Sequence, residues 1–393
     1  MKFELYQKYS HPETIMSFVL GLLHSVGLNG YGTLQTIRLA SIFLFYLTFT
    51  VIPQLSGGYT DVHQFVRASV EFLFNCNIFV GSLCFGYGSA TFQTFVREMR
   101  TLSEYTSSTS YKLKHILSRF NRRVDVFAKA QTACMAAIAL VYWVAPLSSI
   151  YLAIYSEPGN ATEPPRLVQH LEVKFYWLEN RTSLRDYAVF VVIMLPVVCM
   201  CSAMCNLKVL TISSSIEYCT FFTQLVIGAA EELHDRPAAG RTSKALSEVV
   251  LMHVSLLKCI NLLDRTLQPV LLLQWIVCGL NWSISLVYLK NTGITLKSVT
   301  VVVMFLLATM ETFLYCWLGT RLTVQQERLA RAFYNTRWYE YPRELQQNLL
   351  IVLRQSQRHA YITVGNFFHV NLEEFGRIVH LSYSVYVVLK DEI

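Results

Sequence analysis

One segment of this chain carries charge where its composition least favours it. Residues 371–390 open with Asn371 and Glu374, the spacing of a capping box at a helix start. As a helix those twenty residues extend about 30 Å, the depth of a bilayer core. Glu373, Glu374, Arg377 and His380 crowd the first half, and Ser382 and Ser384 the middle. Glu373 and Arg377 stand four apart and can pair. Hydrocarbon on that side would be costly, so it meets water or protein. Two readings fit: a half-buried interfacial helix, or one wall of an aqueous pore. Glu71 and Glu311 are acids inside apolar runs, which makes them functional candidates or ties to neighbouring polar groups. Cys199, Cys201 and Cys205 cluster without the histidine or second pair a zinc site needs, and read as packing residues. The ten histidines form no HxxH or HExxH pattern, and no glycine-rich phosphate loop or internal repeat is present. The chain therefore reads as no enzyme, with no metal and no cofactor.

The elements that must position these groups are long and apolar. Of 393 residues 53% are hydrophobic and only 15% charged, too little polar surface for two or three soluble domains. The fold expected is all-α and polytopic, with seven transmembrane helices near 36–56, 66–92, 127–154, 186–212, 267–289, 296–320 and 370–390. Ile15–Leu28 is short for a span and is interrupted by His24; it suits an interfacial or re-entrant segment, and no signal peptide is evident.

Charge sets the orientation. With the amino terminus cytosolic, 24 of 33 basic residues fall on or beside the inner stretches 1–38, 93–129, 208–265 and 321–358. Seven spans then leave the carboxy terminus extracellular. The sequons at Asn160 and Asn180 lie in the outer loop between spans three and four, as glycosylation requires, while the one at Asn281 falls within a span. No cysteine falls in an outer loop, so extracellular disulfides are not expected. The net charge of +7 reads as topology and attraction to anionic membrane lipid, not nucleic-acid binding.

The inner segments are too long for connectors. Leu225–Leu233, Ala245–Leu263 and Arg343–Gln357 have helical apolar spacing, which predicts spans running on into a cytosolic bundle. Trp338, Tyr339, Leu345, Leu349 and Leu353 suit either an intrachain core or a subunit interface there.

The carboxy-terminal run WYEYP, LLIVLRQSQR, TVGNFF and LEEFGRIVHLSYSVYVVL resembles the signature of insect odorant receptors. The matching positions are Trp338, Tyr339, Pro342, Arg354, Ser356, Gln357, Gly365, Phe367, Phe368, Leu372, Phe375, Ser382, Tyr383 and Ser384, with Glu311, Tyr315, Cys316 and Gly319 upstream. His369, Val385-Tyr386 and the trailing Asp391-Glu392-Ile393 depart from the usual pattern. The resemblance implies four parts: a cytosolic segment 1–35, helices one to six over 36–320 with an odorant cavity in their outer half, an anchor region 321–366, and a pore-lining helix 367–393. It implies an odorant-tuning subunit of a ligand-gated, non-selective cation channel in the plasma membrane of a sensory neuron. Its partners would be an olfactory coreceptor in a heterotetramer joined chiefly through the anchor, a small volatile odorant, membrane lipid and permeant cations.

For such a receptor, the outer ends of the spans offer Ser69, Phe72, Leu73, Tyr142, Trp143, Pro146, Tyr187, Phe190, Met194 and Val303 as ligand-binding candidates. Ser382, Tyr386 and Leu389 share one helical face, which by resemblance lines the pore and its gate. Glu311, at a family position, takes a structural or gating role. A G-protein-coupled receptor would also have seven spans, but the inverted orientation and the missing Asp-Arg-Tyr and Asn-Pro-x-x-Tyr motifs oppose it. A gustatory-type channel assembling alone is the nearer alternative.

Overall fold

The computed structural model describes residues 9–389 apart from 10, 30–31, 57, 60, 110, 157–166, 168, 182, 235–238, 294–297 and 359. Ten helices make up almost all of it: α1 (Ser17–Val26), α2 (Thr33–Leu55), α3 (Val62–Tyr87), α4 (Ser89–Thr109), α5 (Tyr111–Ser156), α6 (Leu184–His234), α7 (Ala239–Thr292), α8 (Val299–Tyr334), α9 (Arg343–Ser356) and α10 (Leu372–Leu389). Among the described residues, each apolar segment expected to span is helical over most of its length. Six of these helices, α2, α3 and α5–α8, are long and apolar enough to cross a bilayer. The seventh, α10, has 18 residues, with Glu373 and Glu374 in its first turn.

Length dictates the architecture beyond the membrane. The 51 and 54 residues of α6 and α7 run roughly 75–80 Å at about 1.5 Å per residue, more than twice a hydrocarbon core. Their surplus cannot rest on lipid. It packs instead with α4 and α9 around one continuous apolar core that includes Phe92, Phe95, Leu256, Phe333 and Leu349. This is the bundle expected from the helical spacing of the inner segments. The run Ile15–Leu28 forms α1 and does not span: Val19, Leu20 and Leu23 are buried against α5 and α6.

A short hairpin delivers the chain to α10. Strands β1 (Thr363–Val364) and β2 (Phe368–His369) pair antiparallel across Gly365 and Asn366, both in the left-handed region at φ 56° and 64°. A side chain at 365 would also press on Leu272, so this tight turn against α7 suits glycine. Asp264 Oδ1 accepts from the Thr363 amide at 2.7 Å, and Gln268 donates to Asn366 Oδ1 at 2.8 Å. On the other side Gly319 of α8 lies against the Val370 carbonyl, where any Cβ would collide. The capping reading of α10 is realised: the Glu374 amide donates to Asn371 Oδ1 at 2.8 Å.

Candidate functional site

An apolar cavity lies between α3, α5, α6 and α8, lined by Phe74, Asn75, Met135, Ile138, Ala139, Tyr142, Leu171, Val197, Val198, Cys201, Ser202, Cys205, Val303, Met304 and Leu307. The centre of a water-sized sphere can explore about 70 Å³ of it, whereas one water needs roughly 10–15 Å³ by this measure. Its polar groups already hold backbone: the Tyr142 hydroxyl donates to the His170 carbonyl at 2.7 Å, and Ser202 to Met135 at 3.1 Å. Asn75 donates to the Glu71 carbonyl at 2.9 Å. Such a site favours a compact, mostly apolar ligand, with the Tyr142 oxygen free to accept one hydrogen bond.

The loop before α6 roofs this cavity through a buried ion network. Arg67 Nε pairs with Glu71 at 2.9 Å and its Nη1 with Glu172 at 3.2 Å, while its Nη2 donates to the Gln169 carbonyl. Glu71 Oε2 also accepts the Glu172 amide at 2.7 Å. Glu71 is therefore a tie that holds Leu171 over the cavity. His170 Nε2 lies 2.8 Å from the Trp143 carbonyl, so that nitrogen carries the proton and the buried Nδ1 is left without a partner. Burial, with the Arg67 charge adding to it, holds the His170 imidazole below its ordinary value.

Of the ten proposed ligand-binding residues, the structure brings Tyr142 and Val303 to the cavity wall. Phe190 and Met194 stand behind it, packed with Leu171 and Val197. Tyr187 packs near Trp143 in a separate small cluster, and Trp143 lines a groove on the outside of the α5–α6 seam. Pro146 is buried away from the cavity. Ser69, Phe72 and Leu73 are half-buried and do not line it; the Ser69 hydroxyl bonds back to Phe65 at 2.8 Å. The α3 residues that do line it, Phe74 and Asn75, sit next along the helix. On α3, which is apolar on several sides, periodicity alone does not separate these two sets. The outer groove shares Met135, Ala139, Val198 and Ser202 with the cavity, so only that seam divides the two.

Beneath the cavity, α6, α7 and α8 are braced by polar side chains. Lys208 pairs with Glu311 at 2.8 Å and donates to Gln274 at 2.9 Å. Tyr315 donates to Glu311 at 2.7 Å, and Gln274 to Thr312 at 3.1 Å. About two and a half turns further along α7, the Ser283 hydroxyl donates to the Ser382 carbonyl at 3.1 Å, and Ile378 and Ser382 lie over Gly279. Ser382 is thus turned toward its own α7, with 3% exposure, and does not lie on an open face. Tyr386 is half-buried beside Tyr383, and the Leu389 side chain lies outside the described residues. One exposed stripe of α10 carries Glu373, Arg377, His380, Ser384 and Val388, with Arg377 paired to Glu373 and Glu374 at 2.7 Å each, and a second exposed side carries Val379, Leu381, Tyr383 and Val385.

Leu345 and Leu349 are buried within this chain and Leu353 packs on the same core, whereas Trp338 and Tyr339 are exposed along with Leu350 and Ile351. Asn180 corrects one expectation. Its amide is 1% exposed and donates to the Val173 carbonyl at 3.1 Å, so a glycan there is incompatible with this loop. Asn160 lies outside the described residues. Among the described residues no cluster suits a metal ion.

A bundle of membrane-length apolar helices with an apolar cavity among them defines a polytopic membrane protein. The family model described as 7tm Odorant receptor matches residues 61–383, and the chain belongs to that family. It is 35% identical over 88 residues to Odorant receptor 2a of Drosophila melanogaster, covering 22% of each chain. With Odorant receptor 33b of the same fly it shares 30% identity over 152 residues, 37% of this chain and 39% of the other. The Odorant receptor coreceptor of Anopheles gambiae is 26% identical over 147 residues, 37% of this chain and 30% of that one. The chain thus matches about a fifth to two fifths of the length of these relatives. The fold extends further: the insect olfactory receptor OR5 from Machilis hrabei, in the structure solved in complex with eugenol, superposes with a TM-score of 0.65 at 14% identity. That superposition covers 99% of this chain and 98% of the other.

Proposed function

We propose that this chain is the odorant-tuning subunit of a ligand-gated, non-selective cation channel that works with an olfactory coreceptor in the plasma membrane. The observation that carries this reading is the roofed apolar cavity among α3, α5, α6 and α8, with Tyr142 as its orienting polar group. The eugenol complex of Machilis hrabei OR5, a protein of similar fold, supports a small volatile ligand. The similarity to a coreceptor supports a shared fold for both kinds of subunit.

Gating is a population shift. An odorant of about ten heavy atoms has a binding ceiling near −15 kcal/mol and usually far less. Moving the channel from 1% to 99% open requires a differential of about 5.5 kcal/mol between states. The brace Lys208–Glu311–Gln274 adjoins the cavity through Cys205, and α7 carries the movement to α10 through Gly279 and Ser283. The pore flank is proposed as the open stripe Glu373, Arg377, His380, Ser384 and Val388, replacing the face through Ser382. A cytosolic amino terminus remains the orientation supported by the charge count. The exposed Trp338, Tyr339, Leu350 and Ile351 form the proposed anchor surface.

Whole-cell recording of the chain alone, with a coreceptor, and with G-protein signalling blocked tests this function. Currents that require the coreceptor and survive the block are expected. Currents abolished by the block would reject a channel.

A further inference from the structure

A second cleft, separate from the cavity, opens where α5, α6 and α8 leave the membrane. The centre of a water-sized sphere can explore about 220 Å³ of it. Its floor is apolar, with Phe127 and Trp317 50% and 42% exposed. Its rim is charged. Arg321 is the first basic residue on α8, 22 residues after Val299 or roughly 33 Å along the helix, which puts it at the edge of a hydrocarbon core. Arg321 pairs with Glu217 at 2.8 Å and its guanidinium lies 4.9 Å from the Trp317 ring centroid. Arg123 of α5, exposed, lines the same cleft. Two guanidiniums therefore face one carboxylate, a net positive rim over a greasy floor.

The apolar surface continues from this rim. Leu306, Met310, Phe313 and Trp317 are exposed at helical spacing along α8 and end at Arg321, a stripe of about 22 Å at about 1.5 Å per residue. That is an acyl-chain length leading to a cationic head site. Arginine's planar fork suits a phosphate, and an interfacial tryptophan suits the glycerol level of the bilayer.

We propose that this cleft binds one anionic phospholipid, its phosphate between Arg123 and Arg321 and one tail along the α8 stripe. Charge selects the occupant: a zwitterionic lipid would bring its own cation to a rim that is already positive. Glu217 holds Arg321 in place and also competes with the phosphate. The proposal rests on the membrane-spanning reading of α5, α6 and α8, but not on channel activity or on which leaflet is cytoplasmic.

The test uses the full-length chain in phosphatidylcholine nanodiscs doped with phosphatidylserine, with retained lipid counted by native mass spectrometry. Arg123→Gln removes a charge with no ion-pair partner among the described residues, so its fold should survive, as an unchanged thermal midpoint would show. It should lower phosphatidylserine retention about fivefold and leave phosphatidylcholine retention unchanged. Glu217→Gln should raise phosphatidylserine retention. Equal retention across wild type and both variants would overturn the proposal. So would displacement of the lipid by inorganic phosphate alone, which would mark a simple anion site. Disulfide capture of Trp317→Cys by a neighbouring subunit would assign the cleft to assembly instead.

Discussion

Lys208 and Glu311 meet at 2.8 Å with side chains only 5% and 4% exposed, a charge pair sealed between α6 and α8 beneath the cavity. Neither charge reaches water, so each depends on the other and on Gln274 and Tyr315. Glu311→Leu strands Lys208 and should destabilise the purified chain by about 3–5 kcal/mol, read as a lower thermal midpoint and reduced surface level. Lys208→Met together with Glu311→Leu should recover most of that loss. Additive losses from the two substitutions would mean that the pair does not act as a unit.

The orientation of α10 yields a labelling pattern. In a background lacking the exposed Cys134 and Cys199, cysteines placed at His380 and Ser384 should react with water-soluble thiol reagents, and faster with odorant present. Cysteines at Ile378 and Ser382 should stay protected against α7. The reverse pattern would restore the face through Ser382 and Tyr386 as the pore wall.

Acid should loosen the roof of the cavity. His170 has its pKa held below the ordinary 6.5 by burial and by Arg67, so it stays neutral in the folded loop while a released loop takes up a proton. The released state then binds more protons, and roof stability falls as pH drops below the ordinary value toward the folded one. The slope is at most about 1.4 kcal/mol per pH unit. Hydrogen exchange, corrected for intrinsic rates, should show weaker protection of residues 169–175 at about pH 5.5 than at neutrality. His170→Gln should remove that difference; persistence of the full effect in the variant would assign it to other groups.

The groove outside the α5–α6 seam predicts a kinetic effect. Ala136 lines this groove without lining the cavity. Ala136→Trp should slow the rise of odorant-evoked current severalfold with little change at steady state, as expected if apolar ligands arrive from the bilayer. An unchanged rise time would indicate access through the roof.

Much of this architecture could be read from the chain. Twenty-residue apolar runs leave few alternatives to spanning helices, and the Asn371–Glu374 cap was visible as a pattern of residue types. The family signature also gained physical meaning: Gly319 makes room for the Val370 carbonyl, and Gly365 takes a left-handed turn against Leu272. What periodicity could not supply was rotational phase. A span apolar on all sides gives no cue to which face meets a cavity: Phe72 and Phe74 are equivalent by composition, and Phe74 is the one on the cavity wall. On α10 the serine pattern suggested a wet face, yet Ser382 satisfies its hydroxyl within its own helix by donating to Ile378 at 2.8 Å. The ties from Arg67 to Glu172 and Gln169 join α3 to loop residues about a hundred positions away, beyond any local pattern.

Odorant sensing of the kind proposed requires that the cavity between α3, α5, α6 and α8 receive the ligand. Dose–response recording with a coreceptor, comparing Val303→Trp with Phe72→Ala at equal surface expression, asks this most directly. Filling the cavity from α8 should shift sensitivity at least about tenfold for bulky odorants and less for small ones, while Phe72→Ala stays within about twofold. Full sensitivity to every odorant in Val303→Trp, with loss of tuning in Phe72→Ala, would place the ligand elsewhere and contradict the account.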